Sequence, residues 1–134
     1  MKNNCVFCAI AANEIPCFKI FEDEKTIAFL DINPFSFGHT LVVPKQHFSG
    51  LLDIDGDELA SLMEVVQKVA SRIKEVLQCD GFNILQNNGE AAGQSVMHIH
   101  FHIVPRRNGE KISFESQAGD MEELAALAER LRID

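Results

Sequence analysis

The sequence predicts an α+β fold in which a mainly antiparallel five-stranded sheet is combined with one long crossover helix and a short N-terminal helix. Five short runs have the β-branched or alternating apolar pattern of strands and are bounded by turn residues. A long apolar stripe at helical spacing separates the third run from the fourth. The strands otherwise follow in meander order, which favours antiparallel pairing, and we expect the sheet to be covered on one face.

The helices are predicted from apolar spacing and from the residues at their ends. A short helix covers residues 5–12, and the long helix begins after Asp55, which with Glu58 has the spacing of a capping box. A final amphipathic helix begins after Asp120, where Glu123 repeats that spacing. The apolar stripe of the long helix consists of Leu59, Leu62, Met63, Val66, Val69, Ala70, Ile73 and Leu77.

The strands are predicted over residues 18–21, 26–30, 39–43, 81–85 and 95–104. The last of these carries an unusual alternation, since Met97, Ile99, Phe101 and Ile103 interleave with His98, His100 and His102. Successive side chains of a strand point to opposite faces, so the three imidazoles are expected on one face of the sheet.

Length and charge limit the classes of function. The 134 residues predict one domain over residues 1–134, with core motifs in about 5–107 and a tail and helix in 108–134. A net charge of −8 argues against a nucleic acid polymer or a membrane surface as partner. No run approaches a membrane span, and Met1–Asn4 leads into no signal-like core, so we expect a cytoplasmic protein with reduced cysteines.

Three neutral imidazoles on one face suit either a transition-metal site or nucleophilic and hydrogen-bonding work on an anionic substrate. The preceding loop favours the second interpretation. Gly93, Gln94 and Ser95 supply flexible backbone N–H groups, an amide and a hydroxyl, which are groups that bind phosphate.

The sequence resembles the histidine triad (HIT) superfamily of nucleotide hydrolases and transferases. Its signature alternates three histidines with apolar residues, and here it reads His98-Ile99-His100-Phe101-His102-Ile103-Val104 after Gly93-Gln94-Ser95-Val96. The likeness extends upstream through Phe29-Leu30-Asp31-Ile32 and His39-Thr40-Leu41-Val42-Val43-Pro44-Lys45 and covers roughly residues 5–107. The fold is therefore expected to be HIT-like.

The resemblance implies a two-step nucleotidyl transfer in which His100 is the nucleophile and His98 and His102 flank the α-phosphate. By the same resemblance, Ser95 and Gln94, beside Gly93, are expected to contact phosphate oxygens or the leaving group, and Asn87 is expected to lie near the phosphates. His39 resembles the family's fourth histidine, and Asp31 resembles its ribose-binding acid. The purine slot is implied to consist of Val6, Phe7, Ile10, Phe29 and Ile32, for which plain core packing is the alternative.

Cys5 and Cys8 need two further ligands to hold a tetrahedral zinc ion. The resemblance to the family implies that His47 and His98 are these ligands. Such a zinc would be structural, because all four positions are filled by protein, and the family mechanism calls for no metal in catalysis. Two thiols without metal remain the alternative.

The leading functional prediction is a purine nucleoside phosphoramidase that releases AMP or GMP. The alternatives are a dinucleoside polyphosphate hydrolase and a nucleotide-binding interaction module with incidental activity. The resemblance also implies a two-fold homodimer. The chain lacks the Trp with which one branch closes the leaving-group site, and residues 108–134 match no family motif.

Overall fold

The computed structural model describes residues 4–134. The segment Met1–Asn4, where the sequence predicts no signal peptide and where the predicted domain begins, therefore lies largely outside the described residues. In chain order the elements are α1 (Val6–Ala11), β1 (Lys19–Glu22), β2 (Thr26–Leu30), β3 (Thr40–Pro44), α2 (Gly56–Leu77), β4 (Gly81–Leu85), a 3₁₀ turn (Glu90–Ala92), β5 (Phe101–Arg106) and α3 (Met121–Leu131).

The five strands form one sheet in the order β1-β2-β3-β5-β4, and every neighbouring pair is antiparallel. The first three strands form a meander. Helix α2 then carries the chain to the far edge, where β4 turns back into β5 and places β5 against β3. The predicted α+β class, the five strands and the crossover helix are confirmed. This order puts β5 in the interior of the sheet, next to the start of β3.

The sheet is covered on both faces, so the expectation of one covered face is wrong. On one face α2 and α3 pack over the larger core, which includes Leu30, Val42 and Ile103 from the strands. On the other face Phe7 and Ile10 of α1 pack on a smaller cluster of Ile27, Phe29, Leu41 and Val43. Every residue of β2 and β3 is therefore buried. The short helix α1 was too brief to be assigned to a face from its sequence.

The histidine-bearing strand begins later than predicted, at Phe101 and not at residue 95. The segment before it follows its own hydrogen bonds, since the Ile99 N–H donates to the Phe48 carbonyl at 2.7 Å. Alternation nevertheless holds from Ile99 onward, because Ile99, Phe101 and Ile103 all enter the larger core. Met97 does not, as 43% of it is exposed.

Both predicted helix caps are confirmed. The Asp55 carboxylate accepts the Glu58 N–H at 2.9 Å at the start of α2. Asp120 accepts the N–H groups of Glu122 and Glu123 at 2.9 and 3.1 Å at the start of α3. These bonds satisfy N–H groups that have no partner within the helix. Among the helices of residues 4–134, none combines the length and apolarity needed to cross a bilayer.

Residues 107–119, which we call the tail strap, contain no helix or strand and pack against residues 31–38, the loop between β2 and β3. The Gly119 N–H donates to the Ile32 carbonyl at 2.8 Å, and the Gln117 N–H donates to the Pro34 carbonyl at 3.2 Å. A Cβ on Gly119 would lie 2.8 Å from the Ile32 oxygen, so this close approach requires glycine. The tail strap therefore packs against the loop that follows β2 and is hydrogen-bonded to it.

Candidate active site

A pocket of about 390 Å³ opens between α1, the end of β2 and the start of β5. Its apolar wall includes all five residues of the predicted purine slot, Val6, Phe7, Ile10, Phe29 and Ile32. Its polar side chains are those of Asp31, Asn33, Ser95, His100 and His102. A mainly apolar cleft with a few converging polar side chains is typical of a small-molecule site.

His100 presents an unprotonated nitrogen to this pocket. Its Nδ1 lies 2.8 Å from the His98 carbonyl oxygen, which can only accept, so Nδ1 carries the proton. The neutral ring therefore has its lone pair on Nε2. Phe7 packs edge-on against the ring, with the two ring centres 5.0 Å apart. The backbone thus holds His100 in the tautomer that a nucleophile requires.

His102 presents the opposite tautomer, and His39 is the reason. The Phe35 N–H donates to Nδ1 of His39 at 2.9 Å, so the neutral His39 ring carries its proton on Nε2. That Nε2–H lies 2.9 Å from Nδ1 of His102 and donates to it. His102 must then carry its own proton on Nε2. One lone pair, on His100, and one N–H, on His102, therefore line the same pocket.

Burial keeps these histidines neutral. Burial, together with smaller effects of neighbouring charged groups, lowers the pKa of His39 to about 3 and that of His102 to about 4. Burial also lowers the pKa of His100, against the hydrogen bond to the His98 carbonyl and the Asp31 charge, which raise it. Neutral rings are the form in which the described tautomers operate.

Asp31 lies at the end of β2, where its carboxylate lines the pocket. Oδ1 accepts the Asn33 N–H at 2.8 Å, and Oδ2 lies 3.6 Å from Nε2 of His39. Desolvation raises the pKa of Asp31, while the Asn33 N–H and the nearby His100 act to lower it. A carboxylate fixed through one oxygen leaves the other able to accept hydrogen bonds from vicinal hydroxyls.

The polar side chains of the loop before β5 differ in where they lie. Ser95 is exposed and lines the pocket, and its contact with a phosphate oxygen or the leaving group stays a prediction. Gln94 is buried, and its side chain bonds the Gly89 N–H and the carbonyls of Ser49 and Val96, so it holds the loop together. Neither Gln94 nor Asn87 is among the described residues that line the pocket.

Gly93 is needed for the shape of this loop. Its φ of 95° lies in the left-handed region that L side chains rarely adopt, and the Asn87 amide nitrogen lies 3.7 Å from where its Cβ would stand. The backbone can turn here and approach a ligand more closely than a residue with a side chain would allow.

His98 is separated from the other two triad histidines. It is fully buried, and its Nε2 lies 2.8 Å from the Pro44 carbonyl, so Nε2 carries the proton. Nδ1, with the lone pair, lies 3.4 Å from the Cys5 sulfur and 3.6 Å from the Cys8 sulfur. Within the described chain the His98 ring is not among the groups that line the pocket, and its implied place beside the α-phosphate stays a prediction.

Cys5, Cys8, His47 and His98 form a cluster whose four ligand atoms lie within 4.8 Å of one another. The Cys8 sulfur lies 3.3 Å from Nδ1 of His47. Zinc–sulfur and zinc–nitrogen bonds of about 2.3 and 2.0–2.1 Å place such ligands roughly 3.5 Å apart in a tetrahedron. The donor set and the bare Nδ1 of His98, whose other nitrogen is held by a carbonyl, fit a structural zinc ion.

A second group, Asp31, His39 and His102, also brings three ligand atoms within 4.8 Å. The tautomers argue against a metal there. The Phe35 N–H occupies the Nδ1 lone pair of His39, so binding a metal through Nε2 would require the ring to lose its last proton. Within this group His39 and His102 form a hydrogen-bonded pair, which we call the relay, and Asp31 lies beside it with its Oδ2 3.6 Å from Nε2 of His39.

Several residues of the site were not predicted from the sequence. Ile15, Pro16 and Cys17 extend the apolar wall, and burial raises the pKa of the Cys17 thiol, with Glu22 nearby adding to the effect and Lys19 opposing it. Phe35 lies against both His39 and His102, with ring centres 4.7 and 6.2 Å away. The position of Phe35 midway between Asp31 and His39 is the one feature of the sequence that could have indicated its place beside the site.

Comparison with known proteins agrees with this geometry. Residues 12–109 match the HIT domain, and the chain belongs to the HIT family. An uncharacterized HIT-like protein of Methanocaldococcus jannaschii is 49% identical over 106 residues, which are 79% of this chain and 81% of that protein. An adenosine 5′-monophosphoramidase of Candida albicans is 38% identical over 136 residues, which are 96% of this chain and 90% of that enzyme.

Solved structures show the same fold. A HIT-like protein of Bartonella henselae superposes with a TM-score of 0.92 at 39% identity, covering 98% of this chain and 96% of its own. A zinc-bound histidine triad protein of Mycobacterium smegmatis superposes with a TM-score of 0.85 at 46% identity, covering 96% and 93%. The resemblance drawn from the sequence motifs is thus confirmed.

Proposed function

We propose that this protein is a nucleotide hydrolase that releases AMP or GMP from purine nucleoside phosphoramidates through a nucleotidyl-His100 intermediate. The observation that supports this proposal most directly is that two histidines of one pocket have opposite tautomers. Nε2 is unprotonated on His100 and protonated on His102. The naming of the Candida albicans relative as an adenosine 5′-monophosphoramidase supports the choice of substrate.

In the first step, the Nε2 lone pair of His100 attacks the α-phosphorus and forms a P–N bond. The bond between phosphorus and the leaving amine breaks, and its electron pair returns to the amine nitrogen. The leaving nitrogen takes its proton from solvent water. His102 keeps its own Nε2 proton, which the His39 N–H at Nδ1 holds on the pocket side, and donates a hydrogen bond through it to the reacting phosphate group.

In the second step, water attacks the nucleotidyl phosphorus and the P–N bond to His100 breaks. The attacking water gives up one proton to solvent, which returns the proton that the leaving amine took up in the first step. AMP or GMP leaves, and His100 regains its lone pair. The net reaction consumes one water and yields a nucleoside monophosphate and an amine.

Substrate binding is assigned to three parts of the pocket. The apolar slot that includes Phe7 and Phe29 receives the purine by stacking and burial. Asp31 accepts hydrogen bonds from the ribose hydroxyls. Ser95, at the pocket rim, contacts a phosphate oxygen or the leaving group.

We also propose a structural zinc ion held by Cys5, Cys8, His47 and His98. When bound, zinc supplies a cross-link between the start of α1, the segment after β3 and the segment before β5. His98 acts on the reaction through its backbone, since its carbonyl fixes the His100 tautomer. Gln94 and Asn87 are assigned to shaping the phosphate loop.

A second copy of the chain is the proposed partner at β4. This strand forms one edge of the sheet, and its Phe82 and Ile84 are 37% and 39% exposed. They line a groove with Met63, Val66 and Ala70 of α2. An unpaired strand edge beside an apolar groove favours pairing of two copies. The cytoplasmic location stays a prediction from the sequence.

The test of function is a comparison of initial rates on adenosine phosphoramidate and on diadenosine tetraphosphate. We expect the phosphoramidate to be the better substrate by kcat/KM. A higher kcat/KM on the tetraphosphate would favour the polyphosphate hydrolase. Tight AMP binding with no turnover of either compound above an uncatalysed control would favour an interaction module.

A further inference from the structure

Phe114 is an exposed aromatic residue whose position is fixed by two contacts from Arg106, one to its ring and one to the backbone of the preceding residue. The ring is 54% exposed and belongs to the tail strap, which has no regular secondary structure. The guanidinium of Arg106 lies 5.1 Å from the ring centre, and its Nη2 donates to the carbonyl of the adjacent Ser113 at 2.8 Å. Arg106 is in turn held by Asn83, whose side-chain oxygen accepts its Nε–H at 2.8 Å.

The ring so held meets Phe35. The two ring centres are 5.9 Å apart at an interplanar angle of 82°, an edge-to-face pair. Phe35 then lies parallel to the His102 ring, at 11° and 6.2 Å, and against His39 at 4.7 Å. Its backbone N–H also sets the tautomer of His39. The contacts therefore run from Arg106 through Phe114 and Phe35 to both members of the relay.

We propose that Phe114 is a positioning residue that, through Phe35, keeps the His102 ring bonded to His39 with its proton on Nε2. The catalytic consequence rests on the proposed function, whereas the placement of the rings does not. Phe114 lines no part of the described pocket, so its effect on the reaction passes through Phe35.

His102 keeps its tautomer only while Nδ1 faces the Nε2–H of His39, and a parallel neighbour on its ring opposes rotation away from that partner. Phe35 is itself only half-buried, on a loop, so it depends on contacts made from outside the loop. Phe114 supplies such a contact. Residues 110–119 lie beyond the span that matches the HIT domain, so this support comes from a part of the chain outside the family core.

The experiment compares Phe114→Ala with Phe114→Leu and with the matched control Phe37→Ala. Phe37 is 52% exposed on the same loop as Phe35, and within residues 4–134 its ring contacts no other aromatic ring. Nitrogen-15 NMR of the imidazoles reports the tautomers, with His102→Asn used to assign its resonances. Steady-state kinetics on adenosine phosphoramidate reports kcat and KM separately.

We expect wild-type protein and Phe37→Ala to show an unprotonated Nδ1 on His102. In Phe114→Ala, both ring nitrogens of His102 should show nitrogen-15 chemical shifts between those of a protonated and an unprotonated nitrogen, because the two tautomers interconvert. An edge-to-face pair contributes enough to change kcat by about three- to tenfold, and KM should change by less than about twofold. Phe114→Leu, which keeps an apolar body against Phe35, should recover part of the lost kcat.

Two results would overturn the proposal. One is a Phe114→Ala protein with the wild-type His102 tautomer and the wild-type kcat. The other is a loss of kcat that tracks the fall in melting temperature equally in Phe114→Ala and Phe37→Ala, which indicates general destabilisation. Altered His102 tautomers in a protein without hydrolase activity would support the positioning role while refuting the proposed function.

Discussion

His39, the residue before β3, donates its Nε2–H across 2.9 Å to Nδ1 of His102, the second residue of β5. The sheet register brings them together, because Leu41 pairs with His102 and His39 lies two residues before Leu41 on the same face. A fourth histidine distant in sequence thus decides which nitrogen of the third triad histidine carries the proton. His39 acts on the proposed chemistry without lining the pocket.

The burial of neutral His39 should make the protein less stable in acid. Its pKa is about 3 in the folded state and near 6.5 in the unfolded chain, so unfolding takes up a proton between those values. This contribution to stability is complete above about pH 6.5 and is lost as the pH falls toward 3. His39→Gln should therefore reduce the slope of unfolding free energy against pH by up to about 1.4 kcal/mol per pH unit.

Urea unfolding of both proteins at several values between pH 7 and pH 4 measures these slopes. His102→Asn is the companion variant, since burial holds that pKa at about 4 and its removal should act in the same direction. Parallel slopes for wild type and His39→Gln would contradict the burial of a neutral imidazole at this position.

The sequence predicted those parts of the fold in which local pattern and tertiary environment agree. β2 and β4 have the predicted bounds, because turn residues border their short apolar runs. Asp55 and Asp120 cap their helices as the spacing of acidic residues indicated. The roles of His100, Asp31 and the apolar slot came from the family resemblance, and their side chains do meet in one pocket.

The errors arose where tertiary contacts override the local pattern. Strict alternation predicted a strand from residue 95, but the pairing of Ile99 with Phe48 and the burial of His98 among cysteines delay β5 to Phe101. Phe35 and Phe114 are 79 positions apart, and no periodicity in the sequence links a loop to a tail. The same holds for the hydrogen bonds that fix the tautomers, three of which end on backbone groups.

His100→Ala should lower kcat for phosphoramidate hydrolysis by at least roughly 10³-fold, because the covalent route is lost. AMP affinity should be retained, since the slot and Asp31 are unchanged. Rapid-quench mass spectrometry on the wild type should place a nucleotidyl adduct on His100. Turnover near the wild-type rate, or an adduct on another residue, would refute the assignment of the nucleophile.

Asp31→Asn should weaken ribonucleotide binding, because the amide keeps one acceptor and loses charge-assisted bonds worth about 1.5–3 kcal/mol each. Calorimetry with AMP and with its 2′,3′-dideoxy analogue separates this effect from a change in the loop. The dideoxy compound should bind wild type and variant about equally. Equal losses for both ligands would show that Asp31 serves only to bond the Asn33 N–H.

Zinc content is the last property to test, and Cys79 provides a matched control for it. Cys8 lies in the four-residue cluster, whereas Cys79 is equally buried but lies outside it. Protein purified without chelator should contain close to one zinc per chain. Cys8→Ser should lower both zinc content and melting temperature, while Cys79→Ser should keep its zinc and its response to chelator.

Removing zinc should cost several kcal/mol of folding free energy, because the ion cross-links three segments that are distant in sequence. It should not abolish turnover, since His100 and His102 are outside the cluster and their tautomers are set by a backbone carbonyl and by His39. Chelation should therefore lower the melting temperature of the wild type and leave that of Cys8→Ser unchanged. A zinc-free protein whose melting temperature responds to neither chelator nor added zinc would mean that the half-buried Cys5 and the buried Cys8 act only as small packing residues, without a metal role.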